Sequence, residues 1–133
     1  MSKERLYIFD TTLRDGAQTQ GVHFSIDEKT KIAHALDNLG VDYIEGGWPG
    51  ANPSDTEFFQ KGLDLKNSTF TAFGMTKKAG RSAENDPGLS AILNSNTNAV
   101  CVVGKSWDFH VDVALGISNE ENLENIKAVS YTH

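Results

Sequence analysis

The stretch SIDEKTKIAHALDNLGVDYIE, residues 25–45, combines one helix signal with one strand signal. Ser25 and Glu28 have capping-box spacing, in which each side chain accepts a hydrogen bond from a free backbone amide at the start of a helix. Apolar residues then recur at helical spacing until Gly40, and glycine is common just after a helix ends. Because a short apolar run follows at residues 41–45, the stretch predicts a helix that leads directly into a buried strand.

The same alternation extends over the rest of the chain. Further capping patterns occur at Ser54-Asp55-Thr56-Glu57 and Ser118-Asn119-Glu120-Glu121, and a less regular helical pattern covers residues 87–93. Strand signals fall at residues 6–9, 41–45, 69–73 and 99–103, and we expect the first of them to be buried. Strands recur roughly every thirty residues, which is the spacing of parallel strands joined by crossover helices. The sequence therefore predicts an α/β fold of four parallel strand-helix units.

Two arrangements of such parallel strands are compatible with the pattern described so far. One is an open doubly wound sheet, and the other is a (β/α)₈ barrel, which needs ~250 residues for its eight units. No G-x-G-x-x-G turn follows the first strand signal, so the dinucleotide-binding form of the open sheet loses its main support. We expect residues 1–133 to form a single domain, because two independent cores would need a longer chain.

Composition argues against two classes of function. The net charge is −6 and the 12 Lys and Arg residues are scattered, whereas nucleic-acid binding draws on clustered cations. No apolar run reaches the ~18 to 20 residues of a membrane-spanning helix, and the first five residues lead into a strand rather than a signal sequence. Cys101 is the single cysteine, so no intrachain disulfide can form, and we expect a cytoplasmic protein.

Polar residues follow each predicted strand, at the carboxyl ends where parallel α/β folds place their chemistry. Arg14 and Asp15 follow the first strand, and Glu45 ends the second. A hard divalent cation prefers oxygen ligands such as Asp15, and a 2-oxo acid can chelate the same cation. Arg14 could stabilise an oxygen that gains negative charge during reaction, while Glu45 could hold Arg14 in place or orient a substrate hydroxyl.

Each of these residues also has a structural interpretation. An Arg-Asp pair in a turn is often only a local salt bridge, worth roughly 0 to 1 kcal/mol when exposed. Asp10 and Thr11 are expected to hydrogen-bond the loop backbone. Trp48 and Trp107 could wall an apolar pocket or simply pack under loops.

The sequence around Cys101 and the histidines favours structural roles for these residues. Cys101 lies inside an apolar strand signal and is expected to be a small buried hydrophobe rather than a nucleophile. The histidines show neither H-x-H nor H-E-x-x-H spacing, which argues against ligand roles for them.

Three segments together resemble a known enzyme group. FDTTLRDGAQ at residues 9–18 and IEGGWPGANP at residues 44–53 resemble the opening of the 2-isopropylmalate and homocitrate synthases, within the metal-dependent barrel superfamily that includes hydroxymethylglutaryl-CoA lyase. GKSWDFHV at residues 104–111, together with GGWPG, resembles the citramalate synthase branch. The resemblance runs from about residue 6 to about residue 126, and it implies the first half of a TIM barrel.

The resemblance also implies residue roles and a reaction. Asp15 matches the metal-binding aspartate, Arg14 the arginine that stabilises enolate and alkoxide oxygens, Glu45 a signature glutamate and Gln18 a residue near the substrate. The implied enzyme is an acyltransferase that condenses acetyl-CoA with pyruvate, using Mg²⁺ or Mn²⁺, with Zn²⁺ as an alternative, to give citramalate and CoA for isoleucine synthesis. The full-length parent is expected to be a homodimer.

Departures from the family pattern limit that expectation. The paired metal-binding histidines of the family lie on a later strand, and neither they nor the family's C-terminal regulatory domain is present in these 133 residues. We therefore expect a fragment that is inactive alone, and one of low stability or prone to self-association because the end strands lack partners. The alternatives are a 2-isopropylmalate or homocitrate synthase, a carbon-carbon lyase of the same superfamily, and a non-catalytic barrel fragment.

Overall fold

In the part of the chain that the structure describes, four parallel strands, hydrogen-bonded in chain order, form one sheet. The computed structural model describes residues 3–131, with the backbone alone at residue 131. The strands are β1 (Phe9–Asp10), β2 (Tyr43–Gly47), β3 (Thr69–Met75) and β4 (Ala99–Val103). The helices are α1 (Ile26–Leu39), α2 (Pro53–Lys61), α3 (Pro87–Leu93), α4 (Asp108–His110) and α5 (Asn119–Tyr131). A π-helical turn, Val111–Leu115, continues α4, and 3₁₀ turns cover Gly16–Gln18 and Ala83–Asn85. None of the described helices is both long and apolar enough to cross a membrane.

The order of the strands distinguishes the doubly wound sheet from the barrel. A doubly wound sheet reverses its order at a switch point, whereas the strands of a barrel follow one another in sequence. The observed order β1-β2-β3-β4 does not reverse anywhere within residues 3–131, and every neighbouring pair is parallel. The prediction of parallel strand-helix units arranged as part of a TIM barrel is confirmed.

Helix starts follow the predicted capping patterns in two of three cases. At α1 the capping box is complete, because the Glu28 amide donates to Ser25 Oγ at 3.2 Å and the Ser25 amide donates to Glu28 Oε2 at 2.8 Å. Near α5 the Glu121 amide donates to Ser118 Oγ at 3.1 Å.

The capping box predicted at Ser54 for α2 is wrong. This helix begins at Pro53, and the Oδ1 atom of Asn52 accepts the Asp55 amide at 2.7 Å. Asparagine is a strong N-cap residue and proline is preorganised for the first helical position, so these two residues move the start of the helix upstream of Ser54.

The predicted burial of residues 6–9 is also wrong. The strand β1 is only Phe9–Asp10, and the apolar side chains before it are open to solvent, with Leu6 86% and Tyr7 62% exposed. The physical reason is position, because within residues 3–131 β1 lies at the edge of the sheet and pairs with β2 alone. An apolar run predicts burial only where a second element covers it.

Two apolar clusters lie between the sheet and its helices. The first joins β2 to α1 and α2 through the fully buried residues Ala33, Ile44 and Phe58, together with Leu13 from the loop after β1. The second joins β3 to α2, α3 and α5 through five buried residues, which are Phe59, Ala72, Leu89, Ile92 and Val129. Because Leu13 is completely buried, the loop that carries Arg14 is fixed to the first cluster.

Hydrogen bonds to the Asp37 carboxylate link α1 to the turn before β3. Its carboxylate accepts backbone amides from Lys66, Asn67 and Ser68 at 2.9, 2.8 and 2.7 Å. The amide of Lys66 contributes most, and these hydrogen bonds outweigh the effect of burial and lower the Asp37 pKa from 3.8 to about 2. The negative charge of Asp37 therefore stabilises the folded state.

We expect this contribution to disappear in acid. Because the folded-state pKa of Asp37 lies below its unfolded value, the stabilisation is complete above about pH 4 and is lost as the pH falls toward 2. Urea unfolding at several pH values should show a weaker acid dependence in Asp37→Asn than in the unmodified chain. Asp64→Asn, at an exposed position, is the control and should keep the original dependence. Identical pH profiles for all three proteins would contradict the assignment.

Candidate functional site

The loop after β1 is folded around a single carbonyl group. The oxygen of Thr11 accepts the backbone amides of Arg14, Asp15 and Gly16 at 3.2, 2.8 and 3.1 Å. Asp10 Oδ1 accepts the Thr12 amide at 2.9 Å, so the predicted structural role of Asp10 is confirmed, and Thr11 acts through its main chain. These bonds hold the loop in a tight turn from which the Arg14 side chain reaches the neighbouring strands.

Arg14 and Glu45 meet at the carboxyl ends of β1 and β2. The Nε atom of Arg14 donates to Glu45 Oε2 at 2.7 Å, and the Glu45 side chain is only 1% exposed. The guanidinium carbon also lies 4.2 Å from the centre of the Phe73 ring on β3. A charge-assisted bond on one side and an aromatic face on another restrict the orientation of the guanidinium group. Of the two roles left open for Glu45, the one in which it holds Arg14 requires this hydrogen bond, and the bond is present.

Asp15 is the exposed member of the site. Its carboxylate is 61% exposed and lies 3.2 Å from Nη1 of Arg14, so the local salt bridge expected from the sequence is present. Hard divalent cations take about six oxygen ligands, and a carboxylate open to solvent suits such a cation. Within residues 3–131, however, no three His, Cys, Asp or Glu side chains come close enough to hold a metal ion. The described residues therefore offer the exposed carboxylate of Asp15 as a single oxygen ligand, without a set of three such side chains around it.

A cleft of about 410 Å³ opens beside Arg14. Gln18, at the end of the 3₁₀ turn after Asp15, lines it together with Arg14 and Trp48. The structure thus brings both predicted substrate-binding residues to one cavity, while Glu45 is hydrogen-bonded to Arg14 and Asp15 is not part of the cavity wall. The volume falls in the range of ~300 to 1,000 Å³ that is typical of small-molecule sites.

The two tryptophans have different surroundings. Trp48 packs edge-on against Phe73 at a ring distance of 5.2 Å, so it continues the aromatic wall beside Arg14. Trp107 is 56% exposed and lies beside Phe109 and His110 with tilted rings at ring distances of 5.0 and 4.5 Å. The pocket-wall hypothesis therefore applies to Trp48, whereas Trp107 belongs to a separate aromatic group.

Cys101 lies on β4 next to Glu45. Burial raises the pKa of its thiol, and the charge of Glu45 and a hydrogen bond to it raise the pKa further. The residue is half-buried rather than fully buried as expected. A raised pKa keeps the thiol protonated, which agrees with the expectation that Cys101 is not a nucleophile.

A buried ion pair that sequence reasoning missed supports the end of β2. Lys29 on α1 is 3% exposed, and its Nζ donates to Asp55 Oδ1 at 2.6 Å and to the Gly46 carbonyl at 3.0 Å. The other oxygen of Asp55 accepts the Trp48 amide at 2.9 Å. The pair therefore fixes the backbone just after Glu45, and both of its side chains line the cleft beside Arg14. A signal was present, because Lys29, Ala33 and Asp37 recur every four residues on one buried face of α1.

Comparisons with known proteins find related sequences over most of the chain. The HMGL-like family model matches residues 5–132. The (R)-citramalate synthase of Aquifex aeolicus is 49% identical over 125 residues, which are 92% of this chain and 24% of that protein. The (R)-citramalate synthase of Streptomyces coelicolor is 46% identical over 90% of this chain and 23% of that protein. A 2-isopropylmalate synthase 1 of Caldanaerobacter subterraneus is 36% identical over 98% of this chain and 32% of that protein.

Solved structures support the same fold. The HMG-CoA lyase of Bacillus subtilis superposes with a TM-score of 0.73 at 23% identity, covering 98% of this chain and 43% of that one. The chain spans about a quarter of the length of its (R)-citramalate synthase relatives. Its four parallel units correspond to part of a TIM barrel. With a family model that matches almost all of its residues, the chain belongs to the HMGL-like family.

Proposed function

We propose that this chain forms the first half of the catalytic barrel of a citramalate synthase, an acyltransferase that condenses acetyl-CoA with pyruvate. The observation that carries the proposal is Arg14, held by buried Glu45 at the wall of a cleft that also contains Gln18. Its relatives named (R)-citramalate synthase support the choice of reaction. A cytoplasmic location, a role in isoleucine synthesis and a homodimeric parent enzyme are part of the same proposal.

The reaction forms one carbon-carbon bond and breaks one thioester. A base removes a proton from the methyl group of acetyl-CoA, and the resulting carbanion attacks the carbonyl carbon of pyruvate. Hydrolysis of the thioester then releases citramalate and CoA. A divalent cation held partly by Asp15, which we expect to be Mg²⁺ or Mn²⁺ with Zn²⁺ as an alternative, would polarise the pyruvate carbonyl.

Arg14 has the central role in this scheme. Negative charge develops on the enolate oxygen and then on the alkoxide oxygen, and a fixed guanidinium group stabilises both through charge-assisted hydrogen bonds. Glu45 is the positioning residue that keeps Arg14 oriented before the substrate arrives. Gln18 lies on the same cleft wall and is assigned to the bound 2-oxo acid.

A chimera provides the test of this function. The chain would replace the matching 125 residues of the Aquifex aeolicus (R)-citramalate synthase, and CoA release would be followed with a thiol reagent in the presence of Mn²⁺. We expect the chimera to form citramalate from pyruvate and the 133-residue chain alone to be inactive. A folded chimera that is inactive with every short 2-oxo acid would contradict the proposal.

The same assay tests the main alternative. A 2-isopropylmalate synthase relative is 36% identical to this chain, so a larger 2-oxo acid is the competing substrate. The chimera should be assayed with pyruvate and with 2-oxoisovalerate, beside the unmodified Aquifex aeolicus enzyme. A change of preference toward 2-oxoisovalerate in the chimera alone would assign the chain to the 2-isopropylmalate synthases instead.

A further inference from the structure

Cys101 lies close to the candidate site, although the proposed reaction gives it no task. It lies on β4 and pairs in register with Phe73 on β3. Residues paired on neighbouring strands project to the same face of a sheet, and successive residues along a strand alternate between the faces. Ala72, beside Phe73, is buried against the helices, so Phe73 and Cys101 project to the opposite face. The Arg14 guanidinium lies on that face as well, 4.2 Å from the Phe73 ring.

Glu45 projects to the same face of the sheet. Its neighbour Ile44 is fully buried in the cluster with α1 and α2, so the alternation turns Glu45 away from these helices. Glu45 pairs with Thr71 on β3, and Thr71 pairs in turn with Ala99 on β4. Because β3 lies between β2 and β4, the Glu45 carboxylate reaches across β3 to form a hydrogen bond with the Cys101 side chain.

The Glu45 carboxylate therefore has partners on two sides. The Nε atom of Arg14 donates to its Oε2 atom at 2.7 Å, and the Cys101 side chain bonds it from β4. An ionised carboxylate only accepts hydrogen bonds, so the thiol is the donor of the second bond. The Glu45 side chain is 1% exposed, and bulk water does not compete for these bonds. The bond from Cys101 thus limits how far the carboxylate can turn away from Arg14.

We propose that Cys101 is a positioning residue, whose thiol holds Glu45 in the orientation that bonds Arg14. The contacts connect all four strand-helix units, with Arg14 after β1, Glu45 on β2, Phe73 beneath the guanidinium on β3 and Cys101 on β4. The thiol acts through Glu45 and forms no bond with the substrate. Its effect on catalysis rests on the proposed function, whereas the contact between Cys101 and Glu45 is a property of the chain alone.

Alkylation of the thiol tests this contact without an assay of activity. Cys101 is the single cysteine of the chain, so the rate of its reaction with iodoacetamide can be followed against pH by mass spectrometry. The thiolate is the reactive form, and the midpoint of the rate profile therefore reports the thiol pKa. Burial is the main cause that raises this pKa, the charge of Glu45 and the hydrogen bond to it raise it further, and the charge of Arg14 lowers it.

Two variants should move the alkylation profile in opposite directions. Glu45→Gln removes the nearby negative charge and should lower the midpoint, whereas Arg14→Ala removes the nearby positive charge and should raise it. Asp108→Asn, at an exposed carboxylate in α4, is the control and should leave the profile unchanged. A general loosening of the chain would reduce burial and lower the midpoint in both variants. Shifts of the same sign, or an unchanged midpoint in Glu45→Gln, would overturn the proposal.

Two further variants test the effect on catalysis in the chimera. Cys101→Ala removes the donor and should lower kcat about three- to tenfold, the effect of losing one hydrogen bond, while KM changes little. Cys101→Ser differs from Cys101→Ala by one hydroxyl donor and should recover most of the lost kcat. Equal kcat values for Cys101→Ser and Cys101→Ala, or the original kcat in Cys101→Ala, would overturn the positioning role.

The two proposals fail in different ways. A folded but inactive chimera, together with opposite shifts of the alkylation profile in the 133-residue chain, would overturn the citramalate synthase function and leave the contact standing. An active chimera whose kcat is the same with Cys101→Ala would overturn the positioning role and leave the function standing.

Discussion

Arg14→Ala should lower the turnover of the chimeric synthase by about 10²- to 10³-fold, which is the range found when one oxyanion donor is removed. The physical reason is the fixed position of the guanidinium group, since Glu45 holds its Nε at 2.7 Å and the Phe73 ring lies 4.2 Å beneath it. Alanine leaves the developing negative charge without this donor. Steady-state CoA release, measured over a range of pyruvate concentrations, gives kcat and KM separately.

We expect the loss to fall mainly on kcat. An interaction that strengthens only as charge develops affects the transition state more than the bound substrate, so KM should change little. Arg14→Lys keeps a positive charge but loses the planar fork that bonds Glu45, and it should recover only part of the activity. Arg81→Ala, at an exposed arginine beyond β3, is the matched control and should leave kcat unchanged. An Arg14→Ala chimera with the original kcat would show that the arginine is only a structural partner of Glu45.

The alternation of helices and strands was predictable because each signal is local. The bounds of α3 and β4 agree with the predicted residues, and the capping box of α1 is complete. Local patterns failed where a neighbouring element decides the outcome. The apolar residues before β1 are exposed because no second element covers them within residues 3–131. The start of α2 is a different case, since Asn52 and Pro53 are themselves a local signal that outweighs the serine pattern.

The part of the candidate site that lies at the carboxyl ends of the strands was predictable. Parallel strands bring their carboxyl ends to one edge, which is why Arg14 and Glu45 meet although 31 positions separate them. The support beneath them was not predicted, since Lys29 and Asp55 look like surface charges on two helices. The spacing of Lys29 with Ala33 on α1 places the lysine on the helix face that packs inward, but its partner Asp55 is on α2, and no pattern within α1 identifies that partner.

Lys29→Met should destabilise the chain by about 3 to 5 kcal/mol, the cost of breaking a buried ion pair by removing one partner. The Lys29 and Asp55 side chains are 4% and 14% exposed, and the variant would leave the Asp55 carboxylate without the lysine that pairs with it. The Gly46 carbonyl would lose its lysine donor as well. Since small domains have a total stability of about 5 to 15 kcal/mol, a loss of this size is readily measured by urea unfolding.

A second ion pair between the same two helices is the matched control. Lys61 on α2 and Asp27 on α1 are 3.4 Å apart, with side chains 51% and 82% exposed, so Lys61→Met should cost no more than about 1 kcal/mol. The double variant Lys29→Met with Asp55→Leu removes both buried charges and should be less damaging than the sum of the single changes.

The Lys29→Met change should also affect the surroundings of Trp48, because Asp55 accepts a hydrogen bond from the Trp48 amide. Lys29→Met should therefore alter Trp48 fluorescence under conditions in which the chain is still folded. Two results together would contradict this role for the buried pair. They are equal stability losses in Lys29→Met and Lys61→Met, and unchanged Trp48 fluorescence in both variants.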